Sequence, residues 1–383
     1  MVASRSDDPR PAADAGSSVT PAAIAARRQL EGFERHQRSR VLFVTGPGGS
    51  GKSWALDEIG RIGDDRHWLT GYSSVVDISV RDAVAMTLIR AVRHLFERQP
   101  GSPAIAPLAR VVATLSGDLV DLLPVPAEPM RHTGSFADDL RLCLRRLTSV
   151  ANDISHAGML IRLDDAHAAD PADLDQLTTV AAESAVQSVP VAFVIAGLGT
   201  IVGLGRSLPP DSIEVVRMVP LDLRASAVMV QEMTAHRRVR FEPEALAVFG
   251  KAAGGNPLLL EFMAHGVIAE QDRLDPSHIS AKHAQSIARA AYSSYERAVL
   301  LPGYTELDEP TQRFLRALAS FDGPASIERV IELIEASVAG SRREAITAVL
   351  GGLLQSGWVY TEDFSTVDFA YPRTRHFVSA LAN

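Results

Sequence analysis

The chain has one cysteine, Cys143, in 383 residues. A single thiol excludes an intramolecular disulfide and suits a reducing compartment. Cys143 falls inside a helical pattern, so it reads as a small core residue and not as a nucleophile. No apolar run reaches the roughly 18–20 residues that a membrane span needs. Met1–Ser18 is polar, contains Asp and Pro, and lacks the apolar stretch of a secretory signal. The expectation is a disordered leader over 1–22 and a cytoplasmic protein with no membrane partner. Net charge is −8, which argues against holding duplex DNA by bulk charge; any such contact needs a local basic patch. Lysine is scarce: Lys52, Lys251 and Lys282 stand alone among 38 basic residues, the rest being arginines. A lysine inside a motif is therefore informative. No repeat is visible at periods of 20–50 residues.

What is present is an ordinary globular composition, 46% hydrophobic and 22% charged. At roughly 150 residues per domain, the length suggests two or three domains. Apolar runs at Val41–Val44, Met159–Leu163, Val191–Ala196 and Ile213–Met218 read as strands, with another within His67–Val76. Between them lie helical patterns: Lys52 to about Ile62 with Gly63 as terminator, Val80–Phe96, Leu108–Leu123, Phe136–Ile154 and Ala172–Val186. Strands alternating with helices predict an α/β fold with a parallel, covered sheet over 23–222. Residues 223–300 read as an all-helical lid interrupted by Gly254-Gly255-Asn256-Pro257. Residues 301–383 read as a winged helix: helices at Glu309–Phe321, Ile327–Ala336 and Arg342–Gln355, then wing strands at Trp358–Thr361 and Val367–Ala370.

Gly46-Pro47-Gly48-Gly49-Ser50-Gly51-Lys52-Ser53 fits a phosphate-binding loop. Glycines let the backbone wrap closely and aim its N–H groups at phosphates. The following helix adds positive potential at its N-terminus. The Lys52 ammonium is placed to reach the β- and γ-phosphates, and the Ser53 hydroxyl to ligate Mg²⁺. The bland reading is a Gly-rich turn, but the motif has a strand before it and a helix after it. ATP with Mg²⁺ is the expected ligand.

Leu160–Leu163 ends in Asp164-Asp165. An acid at such a strand tip holds Mg²⁺, and a second can polarise an attacking water. Asp164 is assigned to the metal and Asp165, with Lys52, to catalysis. The competing reading is an acidic turn before a helix that Asp170 and Pro171 already cap. Arg162 breaks the apolar run and must be paired or snorkel. His167 either senses nucleotide or Asp165, or is a helix-start surface residue; no second ligand has zinc spacing to it. Pro257 either opens a plain interhelix turn or lies over the adenine. Arg206, Arg217 and Arg224 are candidates for stabilising a transferring phosphoryl group, each with surface charge as its rival reading. The third tail helix offers only Arg342 and Arg343, and the wing carries Glu362, Asp363 and Asp368, which repel phosphate. A packing or partner role for the tail is favoured over DNA.

Together GPGGSGKS, LIRLDDAHAAD, VAFVIAGL, GGNP and a winged-helix tail, in that order, resemble the AAA+/STAND group of P-loop ATPases. In particular they resemble the bacterial relatives of archaeal origin-recognition ATPases. The resemblance covers about 25–383. It implies Walker A residues in Lys52 and Ser53, Walker B acids in Asp164 and Asp165, and Pro257 at the lid against the base. It also implies a nucleotide-driven switch that oligomerises or holds a protein partner. Ala26-Arg27-Arg28-Gln29 stands where the group often has a Gly-Arg-Glu box, and Thr200 is the nearest polar candidate after the fourth strand. The reading from sequence is thus a Mg²⁺-dependent ATPase. Its alternatives are a nucleotide-responsive DNA-binding regulator and a scaffold with a structural nucleotide.

Overall fold

The computed structural model describes residues 21–36, 41–129, 134–153, 157–186, 191–199, 201, 212–237, 239–274, 278–337, 342–361 and 365–382. Its first half is a five-stranded sheet: β1 (Val41–Thr45), β2 (Trp68–Ser74), β3 (Gly158–Asp164), β4 (Val191–Gly197) and β5 (Ile213–Arg217). The order is β2-β3-β4-β1-β5 and every pairing is parallel. Parallel neighbours need crossovers, and the connecting helices cover both faces. The period-2 alternation of β1 divides its side chains between them. Leu42 and Val44 pack with Ala25, Leu30, Leu56 and Ile59 of α1 (Pro21–His36) and α2 (Lys52–Asp65). Val41 and Phe43 face α3 (Val80–Arg98), α4 (Ile105–Leu115), α5 (Phe136–Asp153) and α6 (Pro171–Val186). Cys143 is fully buried in that second layer, and burial pushes its thiol up to about 12. It is packing, as expected.

The structure corrects two helix expectations. Gly63 does not end α2, which runs on to Asp65. A Cβ at Gly63 would come within 2.7 Å of Thr70 and 2.8 Å of Leu160, so this glycine lets the helix lie close on the sheet. The helix expected over Leu108–Leu123 breaks at Ser116, where the chain turns extended before a short 3₁₀ segment at Gly117–Leu122. Phe136, Leu140 and Leu144 of the α5 stripe are buried; Ile154 lies outside the described residues.

The second half comprises α7 (Leu223–Thr234), α8 (Pro243–Ala253), α9 (Pro257–Leu274), α10 (Ala281–Tyr295), α11 (Leu301–Thr305), α12 (Glu309–Ala319), α13 (Ile327–Ser337), α14 (Arg343–Gln355) and α15 (Thr374–Ala382). Its strands are β6 (Arg240–Phe241) with β7 (His278–Ile279), and a small antiparallel sheet in the order β8-β10-β9. These last are β8 (Ala325–Ser326), β9 (Val359–Tyr360) and β10 (Thr366–Phe369). One continuous apolar core runs through this half, from Val230 and Phe249 through Tyr295 to Phe314, Val330 and Phe377. A π-turn at Glu296–Leu300 joins α10 directly to α11, so the helical and tail segments are joined by helix and share a core. No helix of the described residues is long and apolar enough to cross a membrane.

Candidate functional site

The site forms where β1 gives way to α2, at the C-terminal edge of the sheet. Ligands of open α/β sheets collect along that edge. The chain leaves Thr45, turns through Gly46–Gly51 and enters α2 at Lys52. Gly49 and Gly51 have φ of 71° and 89°, left-handed values that side chains rarely adopt. Gly51 occupies the N-cap position without a side-chain cap. The first-turn N–H groups of α2 therefore have no intrahelical acceptor, and the helix end carries partial positive charge. Both features favour an anion. The Ser50 hydroxyl is buried and has no hydrogen-bond partner in the structure, an orphan of the kind a ligand oxygen satisfies.

Lys52 Nζ donates to the carbonyl oxygens of Gly46 and Pro47, both at 2.9 Å. An ammonium has three donors, so two brace the loop and one is left for a ligand. The residue is only 7% exposed. Burial lowers its pKa, and the Asp164 and Asp165 carboxylates oppose that effect.

Asp164 ends β3, separated from β1 by β4, a span of roughly 10 Å at the usual strand spacing. The Ser53 hydroxyl faces the Asp164 carboxylate across that gap. Asp164 also accepts from the Tyr72 hydroxyl at 3.2 Å and from the Asp165 N–H at 2.9 Å. Its carboxyl is almost wholly buried. Burial first and the Asp165 charge second raise its pKa, while Ser53, the Asp165 N–H and Lys52 pull it down. Asp165 has φ 55°, a strained position for a non-glycine residue, and accepts from Ser74 Oγ at 3.2 Å. Lys52, Ser53, Asp164 and Asp165 thus lie together at this edge.

Other expected residues fall differently. His167 is half-buried rather than fully exposed. Its Nδ1 is buried without a partner, and burial, then Lys52, pull its pKa down to about 4. It lies against Gly357, where an added Cβ would be 2.9 Å from Nε2. Arg162 is tucked beneath α2: Nη1 donates to the Leu56 carbonyl at 2.6 Å, and the guanidinium lies 5.8 Å from the Tyr72 ring centroid. A Cβ on Gly60 would meet it. Arg217 and Arg224 are exposed; Arg206 and Thr200 lie outside the described residues, as do Glu362 and Asp363. In the tail, Arg343 pairs with Glu328, which leaves less free positive charge on that helix.

Two segments of the second half reach the loop. Asn256 Nδ2 donates to the Gly48 carbonyl at 3.2 Å, and the Leu258 N–H to the Gly49 carbonyl at 3.2 Å. Pro257 packs beside Gly51. From the tail, the Ala370 carbonyl accepts the Gly48 N–H at 2.5 Å, and Tyr371 covers Gly48. A cavity of about 340 Å³ lies where loop, Gly254–Pro257 and Tyr371–Arg373 meet. Tyr72 and Ser74, which hold the two acids, were not singled out from sequence; the only signal was two hydroxyls at alternate positions near the C-terminal end of an expected strand.

Residues 26–195 match the family model described as AAA ATPase domain. That span holds the loop, both carboxylates, β1 to β3 and most of β4. Among solved structures, the Walker-type ATPase of Pyrococcus abyssi is similar over 92% of this chain and 94% of that one, with TM-score 0.57 and 15% identity. Cdc6p from Pyrobaculum aerophilum matches 96% of each chain, with TM-score 0.49 and 14% identity. The Aeropyrum pernix Orc1 protein, solved in complex with DNA, matches 96% of this chain and 93% of its own, with TM-score 0.48 and 14% identity. No curated protein matches the sequence. At these identities the first likeness shows the fold, that of an α/β P-loop ATPase.

Proposed function

We propose that this chain is a cytoplasmic, Mg²⁺-dependent ATP-binding protein that hydrolyses ATP and acts as a nucleotide-driven switch. The observation that carries the reading is the convergence of a braced lysine, an uncapped helix end and a strand-tip acid pair on one edge of the sheet. The free N–H of Lys52, the first-turn amides and the orphaned Ser50 hydroxyl would meet the phosphates. Ser53 and Asp164 would hold Mg²⁺, which when bound neutralises phosphate charge. Asp165 is positioned by Ser74 to orient a water and accept its proton. Pro257 and Asn256 touch the loop from the lid, so a ligand in the loop bears directly on the lid. We read 223–300 as that lid and 301–383 as a winged helix used for packing, self-assembly or a protein partner. The Glu328 pair on Arg343 and the chain's net charge of −8 disfavour the DNA-binding alternative.

Lys52→Ala should abolish ATP binding. Asp165→Asn should retain binding and lose turnover. Equilibrium binding and phosphate release check both. Variants that bind and turn over ATP like the parent would overturn the reading. Binding without phosphate release in the parent would instead support the structural-nucleotide scaffold.

A further inference from the structure

The loop already has an occupant from its own chain. The Gly48 N–H, at the tip of the phosphate cradle, donates to the Ala370 carbonyl at 2.5 Å. The Tyr371 ring lies so close that a Cβ on Gly48 would come within 2.6 Å of Cδ1 and Cε1. A carbonyl and a phosphate oxygen are both acceptors. They compete for the same donor, and the carbonyl dipole repels the anion's charge.

The occupant is held from behind. The Ala370 N–H donates to the Trp358 carbonyl at 2.9 Å, and Thr374 Oγ to the Tyr371 carbonyl at 3.0 Å. Arg373 bonds Glu296 at 3.1 Å and stacks 3.8 Å over the Tyr292 ring centroid. It does so with φ 62°, a conformation a non-glycine residue keeps only when its surroundings enforce it. Burial, then the Asp165 charge, raise the Tyr371 pKa. Two further contacts join the same bodies: Gly357 against His167, and the Thr361 carbonyl against Gly199.

We propose that Ala370 and Tyr371 form a built-in plug of the phosphate loop, so that loading a nucleoside triphosphate and seating the tail on the loop exclude one another. The proposal rests on the nucleotide reading above and adds its regulation: the tail holds the site closed, and nucleotide releases it. Arg373, with its ties to Glu296 and Tyr292, sets how firmly the plug is seated.

The test is MgATP affinity of the full chain and of Tyr371→Ala, Tyr371→Phe and Lys52→Ala, with hydrogen exchange over 366–374 in each. The plug predicts that Tyr371→Ala binds tighter by about tenfold, because a competing closed state taxes the parent's affinity. Tyr371→Phe keeps the ring and should bind like the parent. Exchange over 366–374 should rise when MgATP binds the parent, and should not change in Lys52→Ala. Weaker or equal binding by a folded Tyr371→Ala, with 366–374 protected by nucleotide, would overturn the plug and make Tyr371 a ligand contact, leaving the nucleotide reading intact. Absence of binding in both the parent and the unplugged variant would overturn both.

Discussion

The two halves of the molecule are built by different rules. In the sheet half, the chemistry is local: eight consecutive residues make the loop, two make the acid pair, and strand order brings them together. In the helical half, one core runs from Val230 to Val378 without a break, and nothing in it reads as a reaction centre. It touches the loop through a few backbone and side-chain contacts at Asn256–Leu258 and Ala370–Tyr371. In the proposed scheme the first half binds and the second controls binding. A rigid body that rests on a loop through a handful of hydrogen bonds can leave it without losing its own core.

The largest expected effect tests whether that second core is one unit. Phe314 is fully buried in it, and Phe314→Ala should cost about 3–5 kcal/mol. Because residues 223–300 and 301–383 share the core, hydrogen exchange should rise together in α8, α9 and α12–α15 and stay unchanged in β1, β3 and β4. Loosening confined to the tail would split the second body in two.

A smaller effect concerns the tail's own stitching. Arg375 bonds the carbonyls of Leu318, Phe321 and Gly323 and the Asp368 carboxylate. Arg375→Ala should lower stability by about 2–3 kcal/mol, the scale for leaving partly buried acceptors of a charged donor unpaired. Denaturant titration checks it, and the Lys52 environment should not change.

His167 joins the two halves and gives a pH signature. Its pKa falls to about 4 in the fold from an ordinary value near 6.5. The folded state therefore disfavours its proton, and the unfolded state binds more protons between these values. Stability from this group is complete above pH 6.5 and is lost as pH drops toward 4. His167→Gln should flatten that part of the stability curve while leaving the neutral-pH value little changed.

The smallest effect should come from Tyr72→Phe. Removing one hydroxyl that bonds Asp164 should weaken Mg²⁺-dependent binding a few-fold, about the worth of one hydrogen bond. The fold and the Mg²⁺-free affinity should stay at parent values. An unchanged Mg²⁺ titration would leave Tyr72 as mere packing.

How much of this was legible in the sequence follows the same division. The loop and Asp164-Asp165 could be read because their chemistry sits in contiguous residues with a strand or helix on each side. The covered parallel sheet could be read because buried strands are apolar runs. Gly63 misled because glycine marks a helix end and a close approach equally well, and only the neighbouring Thr70 and Leu160 decide between them. Ser116 broke a helix whose apolar pattern continues past it. The ties from Tyr72 and Ser74 to the acids depend on β2 pairing with β3 in one register, which periodicity does not fix. Least legible was the meeting of Gly48 with Ala370 and Tyr371: more than 300 residues separate them in the chain, and no local pattern marks the tail residue that will reach the loop.

The central claim is that Lys52, Ser53 and Asp164 serve one triphosphate with its metal. Calorimetric titration of ATP into the parent chain, with Mg²⁺ and then with a chelator, tests it most directly. The account predicts saturable binding of one ATP per chain that strengthens with Mg²⁺, and loss of that Mg²⁺ effect in Asp164→Asn. ATP binding that is indifferent to Mg²⁺, or an Asp164→Asn variant that keeps the full Mg²⁺ effect, would contradict it.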